Sequence, residues 1–343
     1  MHIEPVTLYF FCFASALALA LALTPAARAL ALRWNVLDEP DHGVKTHSNA
    51  VPYLGGAAVF IAFAIPLMGV RLLTHFPTGT LKSIRGILFG ATLMWLVGLV
   101  DDARRGGLHF RTKFVLQAFA AAVLIFFDVH IRFADPPWLA AGLTLIWVIG
   151  VTNALNLTDI MDGLAGGLTA IASLAFLFIS LPTEEIYVNF TAAALAGACL
   201  GFLPYNLSRK YRIFMGDSGS LVLGFALAAL SMGTSYTRMN EIGLLSPLLI
   251  LAVPIYDTLL VSILRIRKGR SPFLGSKDHF PLRLEALGFN RRQILVICYA
   301  ASTAASGTAY LITRLPLWGA LTTVGVAGLT VGLISLKIAR VRV

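Results

Sequence analysis

Long, nearly uncharged apolar runs follow one another from residue 6 to residue 336, and they decide most of what this chain can become. They fall at 6–27, 54–73, 84–100, 114–130, 138–153, 164–181, 190–206, 220–236, 244–264, 294–313 and 317–336. Several approach the roughly 20 residues that cross a bilayer as a helix. Inside lipid only helices and closed barrels pair all their backbone groups. The runs are continuous and rich in Leu and Ala, without the alternation of a barrel strand, so they predict helices. The expected fold class is all-α: a polytopic integral membrane protein of about eleven transmembrane helices (ten to eleven). Charged residues make up only 13% of the chain, against roughly 25% in a soluble domain. The first run has no basic segment ahead of it and ten more follow, so it reads as a span and not as a cleaved leader.

Basic residues sort onto one side of this pattern. Segments 28–53, 101–113, 154–163, 207–219, 265–293 and the C-terminal tail carry 21 Lys and Arg, and the opposite side carries six: Arg71, Lys82, Arg85, Arg132, Arg238 and Arg314. The positive-inside rule makes the rich side cytoplasmic. The expected orientation is N-terminus outside and C-terminus cytoplasmic, multi-pass in the inner (plasma) membrane. The net charge of +10 is then topological, and no nucleic-acid partner is expected. Cys12, Cys199 and Cys298 all lie in apolar runs without metal-ligand spacing, as packing residues do. The expectation is one transmembrane catalytic domain over 1–343, with its working loops at 28–53, 101–113, 154–163, 207–219 and 265–293.

Five acids gather on the basic side: Asp101, Asp102, Asp159, Asp162 and Asp217. Carboxylates next to a membrane are costly and point to function, here to a metal or a cationic ligand. Asp101 and Asp102 end the third run. As neighbours on a helix they point about 100° apart, so they cannot share one job. Arg104, Arg105, Arg111 and Lys113 follow and could pair with them or bind phosphate. Asn153, Asn156, Asp159 and Asp162 recur every third residue and form a polar stripe if helical; capping is the simpler reading of any one of them. Phe214-Met215-Gly216-Asp217-Ser218-Gly219-Ser220 opens the eighth run. A helix N-terminus there suits phosphate, and Asp217 would either cap the helix or bind a metal that bridges phosphates. Phe214 is a base-stacking platform or an interfacial aromatic. The 265–293 segment holds eight basic residues around His279, and a phosphate contact is one reading of that histidine.

In this order and spacing the motifs resemble the polyprenyl-phosphate N-acetylhexosamine-1-phosphate transferases, the superfamily that includes the phospho-MurNAc-pentapeptide translocases. The resemblance runs from Lys45 to His279. It implies a cytoplasmic active site that moves a sugar-1-phosphate from a UDP-N-acetylhexosamine, UDP-GlcNAc first among them, to a polyprenyl (undecaprenyl) phosphate, releasing UMP. It implies Mg2+, with Mn2+ as a substitute, membrane lipid as the surrounding partner, and the start of lipid-linked cell-wall or lipopolysaccharide synthesis; a homodimer stays open. Residue by residue, Lys45 falls at the substrate-phosphate lysine ahead of Gly55-Gly56. Asp101 and Asp102 match the catalytic Asp-Asp motif, the first as candidate base, and Lys113 and Gln117 match the Lys-x-x-x-Gln after it. Asn153, Asn156, Asp159 and Asp162 match the nucleotide and metal-phosphate motif. Phe214 matches the uracil-stacking position, Asp217 the metal ligand and His279 the first histidine of the last basic loop. Ile160 departs from a usual glycine, Pro281 and Leu282 from a paired histidine, and Ser276 and Lys277 from a common Asp-Arg. The missing histidines argue against a MurNAc-pentapeptide substrate.

Two other readings compete. Gly216-Asp217 and Tyr256-Asp257 superficially match the two motifs of an intramembrane aspartyl protease, but in reversed order and with the Asn/Asp stripe unexplained. A transporter would place carboxylates along its path near the midplane, whereas here they collect on one face, apart from Asp257.

Overall fold

The computed structural model describes residues 5–38, 50–74, 78–104, 106–183, 185–269, 271, 278–339 and 341. Its helices are α1 (Pro5–Arg33), α2 (Gly55–Leu73), α3 (Thr78–Ala103), α4 (Phe110–Phe126), α5 (Pro137–Thr158), α6 (Leu164–Ser180), α7 (Ile186–Asn206), α8 (Asp217–Gly233), α9 (Ser246–Ile250), α10 (Ala252–Arg267), α11 (Phe280–Ala286), α12 (Arg291–Ile312) and α13 (Leu317–Ile338). A two-stranded antiparallel ribbon pairs β1 (Leu37–Asp38) with β2 (Val51–Pro52).

Every apolar run is helical over most of its length. Among the described residues eight helices are long and apolar enough to cross a membrane, or nine if one bent pair is a single span. The chain is thus an almost entirely helical, multi-pass membrane protein. The difference from eleven has local causes. Helices α4 and α8 have 17 residues each, about 26 Å at 1.5 Å per residue, less than the roughly 30 Å hydrocarbon core. The run at 244–264 is broken at Leu251, where the chain turns by 73°. Pro254 has no N–H to donate and its ring opposes the carbonyl of Ile250, which favours a break at this point. The 265–293 segment also contains a short helix, α11, whose second residue is Pro281, a residue suited to a first turn.

The helices form two compact units, α1–α8 up to Thr234 and α9–α13 from Ser235. In the first, α8 is the central element. Its residues from Ser218 to Ser231 are all buried, enclosed by α2, α3, α5, α6 and α7. A helix apolar on every face belongs in such a place. Helix α1 lies against α7 across Gly197 and Gly201. A Cβ at either would come within 2.3 Å of the Phe13 carbonyl oxygen or 2.5 Å of that of Leu17. Without a hydrophobic drive between helices in lipid, small residues four apart let backbones close on each other and gain dispersion energy. In the second unit, Asn240 donates to the carbonyls of Ile312 (2.8 Å) and Leu315 (2.7 Å), which the end of α12 leaves without helical partners. Asn290 and Gln293 form a capping box at its start.

Candidate active site

The N-terminus of α8 is the point on which the motifs of the first unit converge. Its leading N–H groups have no partner within the helix, and the cap comes from a different helix. The Asp102 carboxylate, in the last turn of α3, accepts from the backbone N–H of Asp217 (2.8 Å) and of Ser218 (3.0 Å). Tyr53 donates its hydroxyl to the same carboxylate at 2.8 Å. Gly216 makes this approach feasible. Its φ is +73°, and a Cβ there would lie 2.6 Å from an Asp102 oxygen. Asp102 therefore holds α8 in place, whereas its neighbour faces elsewhere, as the helical 100° offset requires.

Asp101 is 8% exposed. It accepts from the Leu108 N–H at 2.5 Å and pairs with Lys113 Nζ at 2.8 Å. The tight 106–107 turn, with both glycines at positive φ, brings the Leu108 amide back to it. Lys113 Nζ also reaches Asp217 at 2.6 Å, so one ammonium sits between two carboxylates. Asn156 donates to the other Asp217 oxygen at 3.0 Å and to Ser220 Oγ at 2.9 Å. One oxygen from each of Asp101, Asp102 and Asp217 lies within 4.8 Å of the others. Three clustered carboxylates are a hard, anionic donor set that fits a cation bound through oxygen, and the Lys113 ammonium between two of them shows that the cluster attracts positive charge.

Along the stripe that begins in the last turns of α5 and runs past its end, the four residues do different things. Asn153 donates to Gln117 at 2.6 Å and to the Ile149 carbonyl at 2.8 Å, so it ties α5 to α4. Asn156 reaches the carboxylate centre. Asp159 follows α5 directly. Desolvation, then the negative charges of Asp217, Asp162 and Asp102, push its carboxyl up to about 8. Asp162 forms an ion pair with Arg212, whose guanidinium lies 4.8 Å from the centroid of the Phe214 ring. The Phe214 segment is fixed by backbone bonds: its N–H donates to the Pro52 carbonyl at 2.9 Å, and Gly55 and Gly56 donate to the carbonyls of Phe214 and Met215 at 2.9 and 2.8 Å.

The Asp159 shift has a consequence for stability. The unfolded chain loses this proton near pH 4, and the folded protein keeps it to about pH 8. Between those values the folded state binds more protons, so stability falls as pH rises. We expect the melting temperature of metal-free protein to drop from pH 5 to pH 8, and Asp159→Asn to flatten that drop. An unchanged slope in the variant would mean that another group carries it.

Sequence reasoning did not single out Tyr53, Arg212 or Asn206. Asn206 accepts from the Gly163 N–H (2.6 Å) and donates to the Ile213 carbonyl (2.9 Å), stapling the loop after α5 to the one before α8. None of the three belongs to a periodic pattern; Tyr53 had only its nearness to Gly55-Gly56 as a signal. Lys45 lies outside the described residues, as do Ser276 and Lys277. His279 is in the second unit, at the start of α11 and 4% exposed.

Comparison with known proteins points the same way. Residues 84–235 match the family model "Glycosyl transferase family 4", a span from before Asp101 to beyond Asp217. The chain is 34% identical to the decaprenyl-phosphate N-acetylglucosaminephosphotransferase of Mycolicibacterium smegmatis, over 79% of this chain and 74% of that protein. It is 29% identical to the probable undecaprenyl-phosphate N-acetylglucosaminyl 1-phosphate transferase of Bacillus subtilis, over 86% of this chain and 82% of the other. With the undecaprenyl-phosphate alpha-N-acetylglucosaminyl 1-phosphate transferase of Salmonella typhi it shares 29% identity over 82% and 77%.

Proposed function

The chain belongs to glycosyl transferase family 4, among the polyprenyl-phosphate N-acetylglucosamine-1-phosphate transferases, and from that membership we propose that it transfers GlcNAc-1-phosphate from UDP-GlcNAc to a polyprenyl phosphate such as undecaprenyl phosphate. An oxygen of the lipid phosphate attacks the sugar-bearing phosphorus of UDP-GlcNAc. The pyrophosphate bond to the uridine-bearing phosphorus breaks, and UMP leaves. No covalent enzyme intermediate is required. The observation that carries this reading is the meeting of Asp101, Asp102 and Asp217 with Lys113 at the start of α8.

Asp217, with Asp101 at its side, would hold Mg2+, which when bound neutralises charge on the pyrophosphate. Mn2+ is expected to substitute. Lys113 orients phosphate oxygens, and Asp101 receives the proton of any singly protonated lipid phosphate. Asp102 orients the α8 end. Asn156 and Asp159 border the diphosphate, Asp162 and Phe214 hold the uridine, and Arg212 supports the Phe214 ring. By the resemblance, Lys45 and His279 are the expected phosphate-contacting residues of their own loops. The working face is cytoplasmic in the inner membrane, with the N-terminus outside and the C-terminus inside. The 21-to-six division of basic residues supports that orientation; a reporter inserted at 182–189 that proves cytoplasmic would reverse it.

The test is UMP release by purified protein given UDP-GlcNAc, Mg2+ and undecaprenyl phosphate. Turnover is expected to need all three, and no release with any UDP-N-acetylhexosamine would refute the reading. In the same assay Phe214→Ala should raise the UDP-GlcNAc KM roughly tenfold, since stacking on an aromatic is worth about 1–3 kcal/mol. The KM for undecaprenyl phosphate should stay the same; a shared rise would point to a packing defect.

A further inference from the structure

Asp257 is an acid that the reaction above leaves unused, and among the described residues it is the most deeply buried carboxylate of the second unit, 1% exposed on α10. A carboxylate in such a place needs partners to offset its lost hydration. Among the described residues it has two hydrogen-bond partners, and they are adjacent in sequence. One oxygen accepts the Phe280 N–H at 2.5 Å. The other lies 2.7 Å from His279 Nδ1. Tyr256, next to Asp257, meets the Phe280 ring edge-on at 5.6 Å, which packs the same junction from the side. An ionised carboxylate only accepts, so beside one Nδ1 would carry the proton and donate. Among the described residues Nε2 of His279 has no hydrogen-bond partner.

We propose that Asp257 is a positioning residue that fixes His279 as the Nδ1–H tautomer and presents Nε2 as the atom offered to a phosphate oxygen of the substrate. The assignment rests on the reading of His279 as a substrate-binding residue. The chemistry is that of a carboxylate behind an imidazole: the hydrogen bond at one ring nitrogen sets the orientation and role of the other. In the neutral ring Nε2 holds the lone pair. Once protonated there, it becomes a charge-assisted donor to phosphate, and the counter-charge is already in place at Asp257. The Phe280 amide bond to the same carboxylate ties the histidine's backbone to the group that aims its ring.

Asp257→Asn is the informative substitution. Its side-chain oxygen can still accept the Phe280 N–H, but its NH2 then faces Nδ1, so the ring must carry its neutral-state proton on Nε2. Nitrogen NMR of histidine-labelled, full-length protein in nanodiscs reads this directly. The wild type is expected to show His279 protonated at Nδ1, and Asp257→Asn to show it at Nε2, with the helical circular dichroism unchanged. Kinetically, Asp257→Asn and His279→Gln should each lower kcat/KM for UDP-GlcNAc roughly ten- to a hundredfold. The double variant should be no worse than His279→Gln alone, because Asp257 acts through His279. Additive losses, or a wild-type ring protonated at Nε2, would overturn the proposal. So would unchanged turnover in His279→Gln, although continued UMP release would leave the transferase reading intact. Absence of UMP release from the wild type would sink that reading instead, while the tautomer could still be measured.

Discussion

Asp217→Asn is expected to cut UMP release by roughly a thousandfold, the equivalent of about 4 kcal/mol of transition-state stabilisation. Asp217 contributes one of the three clustered carboxylates and is the partner of both Lys113 (2.6 Å) and Asn156 (3.0 Å). The amide keeps the volume and removes the negative charge. Its backbone N–H still meets Asp102, so the α8 start should survive. The expected signature is a loss of turnover with the melting temperature nearly unchanged and with a higher Mg2+ concentration needed for half-maximal rate. Near-normal turnover at the usual Mg2+ concentration would remove Asp217 from the centre. A large fall in melting temperature would mean that its ion pair with Lys113 is mainly structural.

The second large effect is expected at Asp102, with a different signature. Its carboxylate accepts three hydrogen bonds, from Tyr53 and from the amides of Asp217 and Ser218. Asparagine keeps one accepting oxygen and turns an NH2 toward a donor. Hydrogen bonds to a charged group contribute about 1.5–3 kcal/mol each. Asp102→Asn should therefore lower both turnover, by roughly a hundredfold, and thermal stability. Tyr53→Phe removes only one of the three bonds and should show the same pattern with a smaller size. Asp101→Asn should differ: it loosens Lys113 and leaves the α8 cap intact, so turnover falls with less loss of stability. Melting curves and UMP release on the three variants decide the matter. If Asp102→Asn melts like the wild type, the cap is not what this residue contributes.

The division of labour between these two neighbours marks the boundary between what sequence and structure each tell. Two adjacent aspartates at a helix end must diverge, and that much follows from 3.6 residues per turn. Which one turns toward α8 depends on where α8 lies, and α8 is 115 residues further along the chain. The same holds along the stripe. Its three-residue spacing suggested one polar face, yet Asn153 turns to Gln117 and Asn156 to Asp217, because the helices on either side of α5 present different partners.

The sequence by itself determined the helices, the membrane as their solvent and the membership of Asp101, Asp102, Asn156 and Asp217 in one set of motifs. Those follow from local quantities: the length of apolar runs, the absence of alternation, and residue types at short spacing. Tertiary structure decided the rest. It alone showed that α4 and α8 end short of a full span and that the run at 244–264 breaks at Leu251. It also brought in Tyr53, Arg212 and Asn206, single polar side chains whose partners lie across a loop or on another helix. And it turned Asp257, an isolated acid in an apolar run, into the partner of His279. The physical reason is the same in each case. A buried charge or amide is tolerable only where it finds its complement, and the complement is set by packing between distant segments, which no local pattern encodes.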